Sequence, residues 1–426
     1  MTFSRAAVEE LSALHGEPDW LRARRLESFG MFETMPIPDT KREEDWRQVD
    51  LKGLDLNAYA AFQQPNGAAP RDDFDQEMVG GLIEHRGTSR PTVRLSKEAL
   101  DRGVLLMSLA DASRDAGDLV ERYLFTGVKA DRDKFSALHG ALFTGGTFVY
   151  VPDGVVLDKP LISRYTSANG AAAVLPHTLV VAGKTSRFKI VDEFRTGDPN
   201  AALLASGSAE VFLEDGADVA YVALQRWSDR TWQFANQHFR LGRDAQLRMV
   251  DVALGGHLAR LRVEAKLEGA GSNADLRGVF FGTNQQAFDF RTLQDHVAPH
   301  TTSDLLFKGA LRDMAKSVYV GVVRVEPEAR GSSSNQANRN LLLSEKAKAT
   351  SEPILEILNN DILRCSHGAT VGPVDPEHLF YLESRGIPRP VAERMLVQGF
   401  LGEVLDRLPV AQLRETVDQE LAARIA

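Results

Sequence analysis

Between residues 144 and 372 almost no helical period survives, and strand-like alternation replaces it. The clearest case is 259-ARLRVEAKLE-268. There Ala259, Leu261, Val263, Ala265 and Leu267 alternate with Arg260, Arg262, Glu264, Lys266 and Glu268. Successive strand side chains point to opposite faces, so this segment predicts one apolar face in a core and one charged face in water. The corners of the region share a weak formula, an apolar residue followed four positions later by a small one: Leu213 with Ala217, Leu241 with Ala245, Val325 with Ala329, Leu343 with Ala347. Two of the spacings between these pairs are 28 and 18 residues, an irregular repeat. Many short strands joined by Gly, Asp and Asn turns suit a sandwich, a barrel or a solenoid of stacked β-coils, and the recurring corners favour the solenoid.

The flanks read differently. Residues 1 to about 140 predict an α+β region: Val8, Leu11 and Leu14 sit at helical spacing before Pro18, and Phe135, Leu138 and Leu142 form a second stripe. Between them, 63-QQPNGAAPRDD-73 has the composition of an exposed loop. After a β-rich core over 141–374, residues 375–426 predict three amphipathic helices. Asp375 precedes Pro376 as an N-cap does, Gly386-Ile387-Pro388 ends the first helix, and Val397, Phe400, Leu401, Val404 and Leu408 line the second. Val410, Leu413, Val417 and Leu421 share a face of the third.

Composition excludes several classes. No apolar run approaches the roughly 20 residues that span a bilayer, so no membrane span is expected. The N-terminus lacks the apolar stretch of an export signal, and a single cysteine cannot form an intrachain disulfide; both favour the cytoplasm. A net charge of -9 argues against a nucleic-acid-binding surface spread over the protein.

The one cysteine lies in 362-ILRCSHGATVG-372, two residues before His367. In an extended strand that spacing sends Cys365 and His367 to one face and Ser366 to the other. A thiolate and an imidazole on one face are a pair of soft metal ligands, or a nucleophile and its base; equally, a lone cysteine and a strand histidine can be ordinary buried residues. Zinc sites and iron-sulfur clusters take about four ligands, so any metal here needs ligands from elsewhere. A second cluster, 295-DHVAPHTTSD-304, holds Asp295, His296, His300 and Asp304. His296 and His300 have the spacing of helical metal ligands, but Pro299 and the strand-rich setting favour a polar turn. The glycine-rich pieces match neither a Walker A loop nor a dinucleotide fingerprint, and no GxSxG or HExxH occurs. A cytosolic β-helix enzyme acting on a carbohydrate or small acid, through paired carboxylates or His296 and His300, is the alternative to a scaffold.

The run 341-LLLSEKAKATSEPILEILNNDILRCSHGATVGPVDPEHLFYLESRGIPRPVAERMLVQGF-400 resembles the C-terminal core of the SufB/SufD family, scaffold subunits of the SUF iron-sulfur cluster assembly system. The similarity extends through 141-ALFTGGTFVYVPDGVVLDKPL-161 and 287-AFDFRTLQDHVAPHTTSDLLFKGAL-311. The segment 36-PIPDTKREEDWRQVDLKGL-54 is similar to the SufD branch in particular. Asn338 stands where the SufB branch carries a cysteine, and no cysteine precedes residue 365, so the chain looks like the SufD branch. The resemblance implies a right-handed parallel β-helix (β-solenoid), mainly β, flanked by an N-terminal mixed, partly helical region and a C-terminal helical domain. It implies a non-catalytic subunit aiding iron acquisition in a SufBCD complex, with a SufB-like subunit and the SufC ATPase as partners; a homodimer is the alternative for the isolated chain. SufC would dock on the C-terminal helices, around Phe380, Tyr381, Arg385, Phe400 and Leu401. His367, with Cys365 in the same motif, would sit at the SufB interface. There it would offer a ligand to iron or to a transient nascent cluster shared with the partner, which this chain alone does not hold tightly.

Overall fold

The computed structural model describes residues 3–62, 78–167 and 171–425. From residue 144 onward the alternating segments become strands that pass in turn between two sheets. The first sheet runs through Gly81–Arg86, Leu161–Ser167, Arg187–Thr196, Asp218–Arg226, Gln246–Ala253, Asn273–Gly282, Thr302–Leu311, Ser332–Leu342 and Ile362–Pro373. The second runs through Gly146–Val151, His177–Ala182, Leu203–Leu213, Trp232–Leu241, Leu258–Leu267, Ala287–His296, Lys316–Val325 and Lys348–Ile357. Neighbours along both paths are parallel. Asp218 lies beside Gln246, Gln246 beside Asn273, Asn273 beside Thr302 and Thr302 beside Ser333, so one coil takes about 30 residues. The result is the expected β-solenoid, of about 8 turns.

The irregular corner spacing follows from this path. Leu213–Ala217, Leu241–Ala245 and Val325–Ala329 turn the chain from the second sheet to the first, whereas Leu343–Ala347 turns it back, so two different edges were being compared. Each of the four alanines is buried at its corner. On the first edge Thr185, Gly216, Asp244, Gly271, His300 and Gly331 all take left-handed backbone conformations. Their N–H groups donate to Asp215, Arg243, Ala270, Pro299, Arg330 and Asp361, each one coil further on. Only glycine adopts that conformation freely; threonine, aspartate and histidine are held in it by the ladder.

The inward faces stack into a continuous core that includes Leu247, Val263, Leu276, Phe280, Phe288 and Phe307. Ala259, Leu261, Val263, Ala265 and Leu267 point into it as expected. Their outward partners do not all meet water. Arg260 is 5% exposed, pairs with Asp289, and lies 4.0 Å from the ring centre of Trp46, because the N-terminal segment covers this face. Phe135 stacks on Phe234 at 3.6 Å in the same cover, and Arg47 reaches Glu352 in the last coil at 3.0 Å.

The N-terminal helices form where the stripes predict, with one correction. Ser4 caps Arg5–His15 through Ala7 N–H, and the buried stripe is Ala7, Val8, Leu11 and Ser12. Leu14 is 56% exposed, since three-residue steps drift around a helix of 3.6 residues per turn. Asp133 caps Lys134–Leu142, which brings Phe135, Leu138 and Leu142 inside. The strands Gly81–Arg86 and Leu105–Ser108 already belong to the two sheets, so the solenoid begins before residue 140. The expected loop at 63–73 lies outside the described residues.

At the other end Asp375 accepts from Glu377 N–H and starts Pro376–Ser384, followed by Arg389–Leu405 and Ala411–Ile425. Val397, Leu401, Val404, Leu413, Val417 and Leu421 cover the outer face of the first sheet at Val222, Val250, Phe281 and Leu306. Each such side chain contributes about 1.5–3 kcal/mol by leaving water. Among the described residues no helix is long and apolar enough to cross a membrane.

Candidate functional site at the open end of the solenoid

The two ends of the coil differ. At the start, Thr92–Leu95 and Leu105–Ser108 close the sheets with antiparallel strands. At the finish, among the described residues, Ile362–Pro373 pairs only with Ser332–Leu342, and Lys348–Ile357 only with Lys316–Val325. Each therefore presents an unpaired edge. Ile354, Ile357, Leu358, Leu363 and Val371 are exposed along this last coil, Leu363 at 77%. Unpaired strand edges beside exposed apolar side chains mark a surface that pairs with another chain.

The Cys365 motif lies on this coil. A register shift between Ser332 and Ser333 sets Ser334 beside Cys365, Asn335 beside Ser366 and Gln336 beside His367. Ser334 and Gln336 are buried and point between the sheets, so Cys365 and His367 continue the inward face. Ser366 faces outward and donates to Asn335 Oδ1 at 2.9 Å. The same-face expectation therefore holds. Cys365 packs on Val323, Val325 and Ala329, and burial pushes its thiol up, which keeps it protonated. His367 is exposed because no further coil covers it. Asn338 also points inward, accepting from Asn340 Nδ2 at 2.7 Å.

The chemistry available is half a site. Among the described residues no group of three or more His, Cys, Asp or Glu side chains could hold a metal. One imidazole and one thiol at an open edge can still supply ligands to a metal completed from across that edge.

The 295–304 cluster resolves differently. His296 is fully buried, with Nδ1 2.7 Å from Thr301 Oγ1 and Nε2 2.8 Å from Ser303 Oγ, so hydroxyls occupy both ring nitrogens. Burial holds it down at about 4, in the neutral form. His300 is the left-handed corner residue of its coil. The pair is structural: one imidazole lies inside the coil, the other at its edge. Asp304 is bound by Arg277 and Asn335.

On the C-terminal helices Phe380 and Tyr381 are 71% and 56% exposed, and Arg385 lies 5.2 Å from the Tyr381 ring centre. Phe400 is half-buried beneath Lys308, which donates to its carbonyl at 2.8 Å. Leu401 is fully buried against the sheet and is removed from any docking surface. Sequence reasoning missed Met395, which is exposed, and the apolar edge itself, although 354-ILEILNNDIL-363 carries six aliphatic residues in ten.

The family described as SUF system FeS cluster assembly, SufBD core domain, matches residues 164–400, and the SufBD protein N-terminal region matches residues 90–162. The iron-sulfur cluster assembly protein SufD of Bacillus subtilis is 30% identical over 416 residues, covering 96% of this chain and 94% of the relative. A SufBD family protein of Mycobacterium tuberculosis is 34% identical over 367 residues, covering 83% of this chain and 88% of its own length. One from Staphylococcus saprophyticus is 27% identical over 421 residues, covering 95% of this chain and 89% of the relative.

Proposed function

Because the chain belongs to the SufBD family of iron-sulfur cluster assembly proteins, we propose that it serves there as a SufD-like, non-catalytic scaffold subunit. It pairs through the open coil with a SufB-like partner, and the iron or nascent cluster is the cargo held between the two chains. The observation that carries this reading is the placement of His367 and Cys365 on the inward face of a terminal strand whose other edge is unpaired. His367 is the better ligand of the two, since it is exposed and a neutral imidazole suits Fe(II), whereas the Cys365 thiol is half-buried and held protonated. Continuing the ladder across the edge would bury Leu363, Leu358 and Ile357 and place partner ligands beside His367.

The SufC ATPase docks on the C-terminal helices, where Phe380, Tyr381 and Arg385 stand clear of the sheet. Helices Arg389–Leu405 and Ala411–Ile425 are anchored on the first sheet, with Ala337 and Leu341 of the strand next to the His367 strand packed against the same cluster. Co-purification from the native host, with iron determined in the recovered complex, tests the proposal. Wild-type chain should bring down SufB- and SufC-like partners, and His367→Ala should keep both partners while lowering iron-sulfur enzyme activities under iron limitation. Recovery of the chain alone, or unchanged activities in the variant, would sink it. The same unpaired edge supports a homodimer of the isolated chain, which sedimentation with and without the SufB-like partner separates from the heteromer.

A further inference from the structure

Away from the open end, the solenoid holds a cavity of about 40 Å³, lined in part by Tyr221, Gln225, Gln237 and Asp251. Asp251 and Gln237 are 4% and 6% exposed. Gln237 Nε2 donates to Asp251 Oδ1 at 2.9 Å. That bond leaves Asp251 Oδ2 and Gln237 Oε1 buried without a partner. Two neighbouring donors are committed elsewhere, whereas Ser208 Oγ, also in the lining, has no partner. Tyr221 Oη donates to Asp192 Oδ2 at 2.7 Å, and Gln225 Nε2 donates to Gln233 Oε1 at 2.6 Å and to the Gly255 carbonyl at 2.8 Å. Among the described residues no lysine, arginine or histidine lines the cavity.

We propose that this cavity is a binding site for a compact hydrogen-bonding guest that bridges Asp251 Oδ2 and Gln237 Oε1, and that the guest is water. The atom inventory closes if Asp251 carries its proton on Oδ2. That hydroxyl donates to the water, and the water donates to Gln237 Oε1, so both buried groups are satisfied. A water needs roughly 10–15 Å³ of such space, which the cavity exceeds. An ionised Asp251 would place an uncompensated charge in the interior. Burial pushes Asp251 up to about 7, and the Asp192 carboxylate facing it adds to the rise. Tyr221 also faces the pair and stays protonated, since burial and Asp192 both raise it. The other guest of the same size that could donate to both oxygens is ammonium, which would pair with the carboxylate form instead.

Two measurements test the site in the full chain. A crystal structure at high resolution should show a solvent peak within hydrogen-bond distance of both Asp251 Oδ2 and Gln237 Oε1; an empty cavity overturns the proposal. Denaturant unfolding should show that Asp251→Asn, which keeps the shape but cannot ionise, gains on wild type as pH rises from 5 to 8. The gain expected is at least about tenfold in the folding equilibrium. An equal offset at both pH values overturns the protonated carboxyl. Repeating the series at pH 8 in ammonium chloride against sodium chloride at equal ionic strength separates the guests. The same unfolding curve in both salts supports water, whereas stabilisation by ammonium that Asp251→Asn abolishes replaces water with a cation.

Discussion

His139 Nε2 lies 2.9 Å from His177 Nδ1 in a site closed to solvent, and the Glu210 carboxylate lies 3.2 Å from His177 Nε2. His139 Nδ1 meets the Ser206 carbonyl at 2.7 Å, so the first imidazole donates there and accepts from His177. Glu210 then accepts from the N–H groups of Phe125, Gly127 and Val128 at 2.6, 2.7 and 3.1 Å. This chain of groups fastens the 125–128 turn and the helix Lys134–Leu142 to the outer face of the second sheet. Glu210→Ala leaves these three N–H groups without their acceptor. It is expected to lower stability by about 3 kcal/mol or more. The change should appear as a lower urea midpoint with unchanged secondary structure at zero denaturant; a loss below about 1 kcal/mol would contradict the fastening role.

Buried neutral histidines give the fold a defined acid sensitivity. Burial lowers His296 from its ordinary 6.5 to about 4. Above 6.5 the imidazole is neutral whether the chain is folded or unfolded. As pH falls below 6.5 the unfolded chain takes up a proton that the folded chain refuses, so stability is lost down to about 4. Asp192 and Asp251 act in the opposite direction, since raised carboxyls are relieved of their burial penalty as pH falls. His296→Gln retains hydrogen-bonding capacity towards Thr301 and Ser303 but does not titrate, and both carboxyls remain in either protein. Between pH 6.5 and 4 the wild type should therefore lose roughly 2 kcal/mol more than the variant, measured by denaturant midpoints. Parallel pH curves would show that His296 takes up its proton in the fold as readily as in the unfolded chain.

What sequence could reveal here was set by periodicity. The strict alternation of 259–268 identified the inward residues one by one, because a strand has only two faces. It could not show that Trp46, more than two hundred residues away, covers Arg260. The corner pairs pointed to a coil, but their spacing looked irregular until the two edges were distinguished, which requires knowing to which sheet each strand belongs. Leu401 and Phe400 shared an apolar stripe, and only the docking of the helix on Leu306 and Phe281 separates the buried member from the half-buried one. His139, His177 and Glu210 carried no local signal, since they come from a helix and two strands that meet only in the folded chain. Cys365 and His367 were legible because both lie in one strand. Their position at an open edge was not, since an edge is defined by the coil that does not follow.

Close approach inside the last coils makes one glycine irreplaceable. At Gly321 an added Cβ would meet Gln336 Nε2 and Tyr319 Oη, both fully enclosed. Tyr319 is itself held by Thr292 at 2.9 Å, and Gln336 stands next to His367 in the ladder. Neither side chain has room to retreat. Gly321→Ala should cost about 1–3 kcal/mol, the usual range for overpacking a core. Thermal unfolding would measure it, and a change within about 0.5 kcal/mol would mean that the interior beneath His367 is looser than its packing indicates.

The exposed edge separates assembly from folding. Leu363 is 77% exposed and Leu358 56%, so neither has much burial to lose within the isolated chain. Replacing each by glutamate should leave monomer stability within about 0.5 kcal/mol, as for surface positions generally. At a paired edge the same carboxylates would be buried without partners. Desolvating even one of them costs several kcal/mol, so association with the SufB-like subunit should weaken by at least about a hundredfold. Titration of the purified partner against wild type and the Leu358→Glu, Leu363→Glu double variant reads this directly, with unfolding midpoints as the folding control. If affinity is unchanged while the fold is intact, partner pairing does not use this edge. His367 would then lie away from the shared site, and the iron it was proposed to hold would need a different second half.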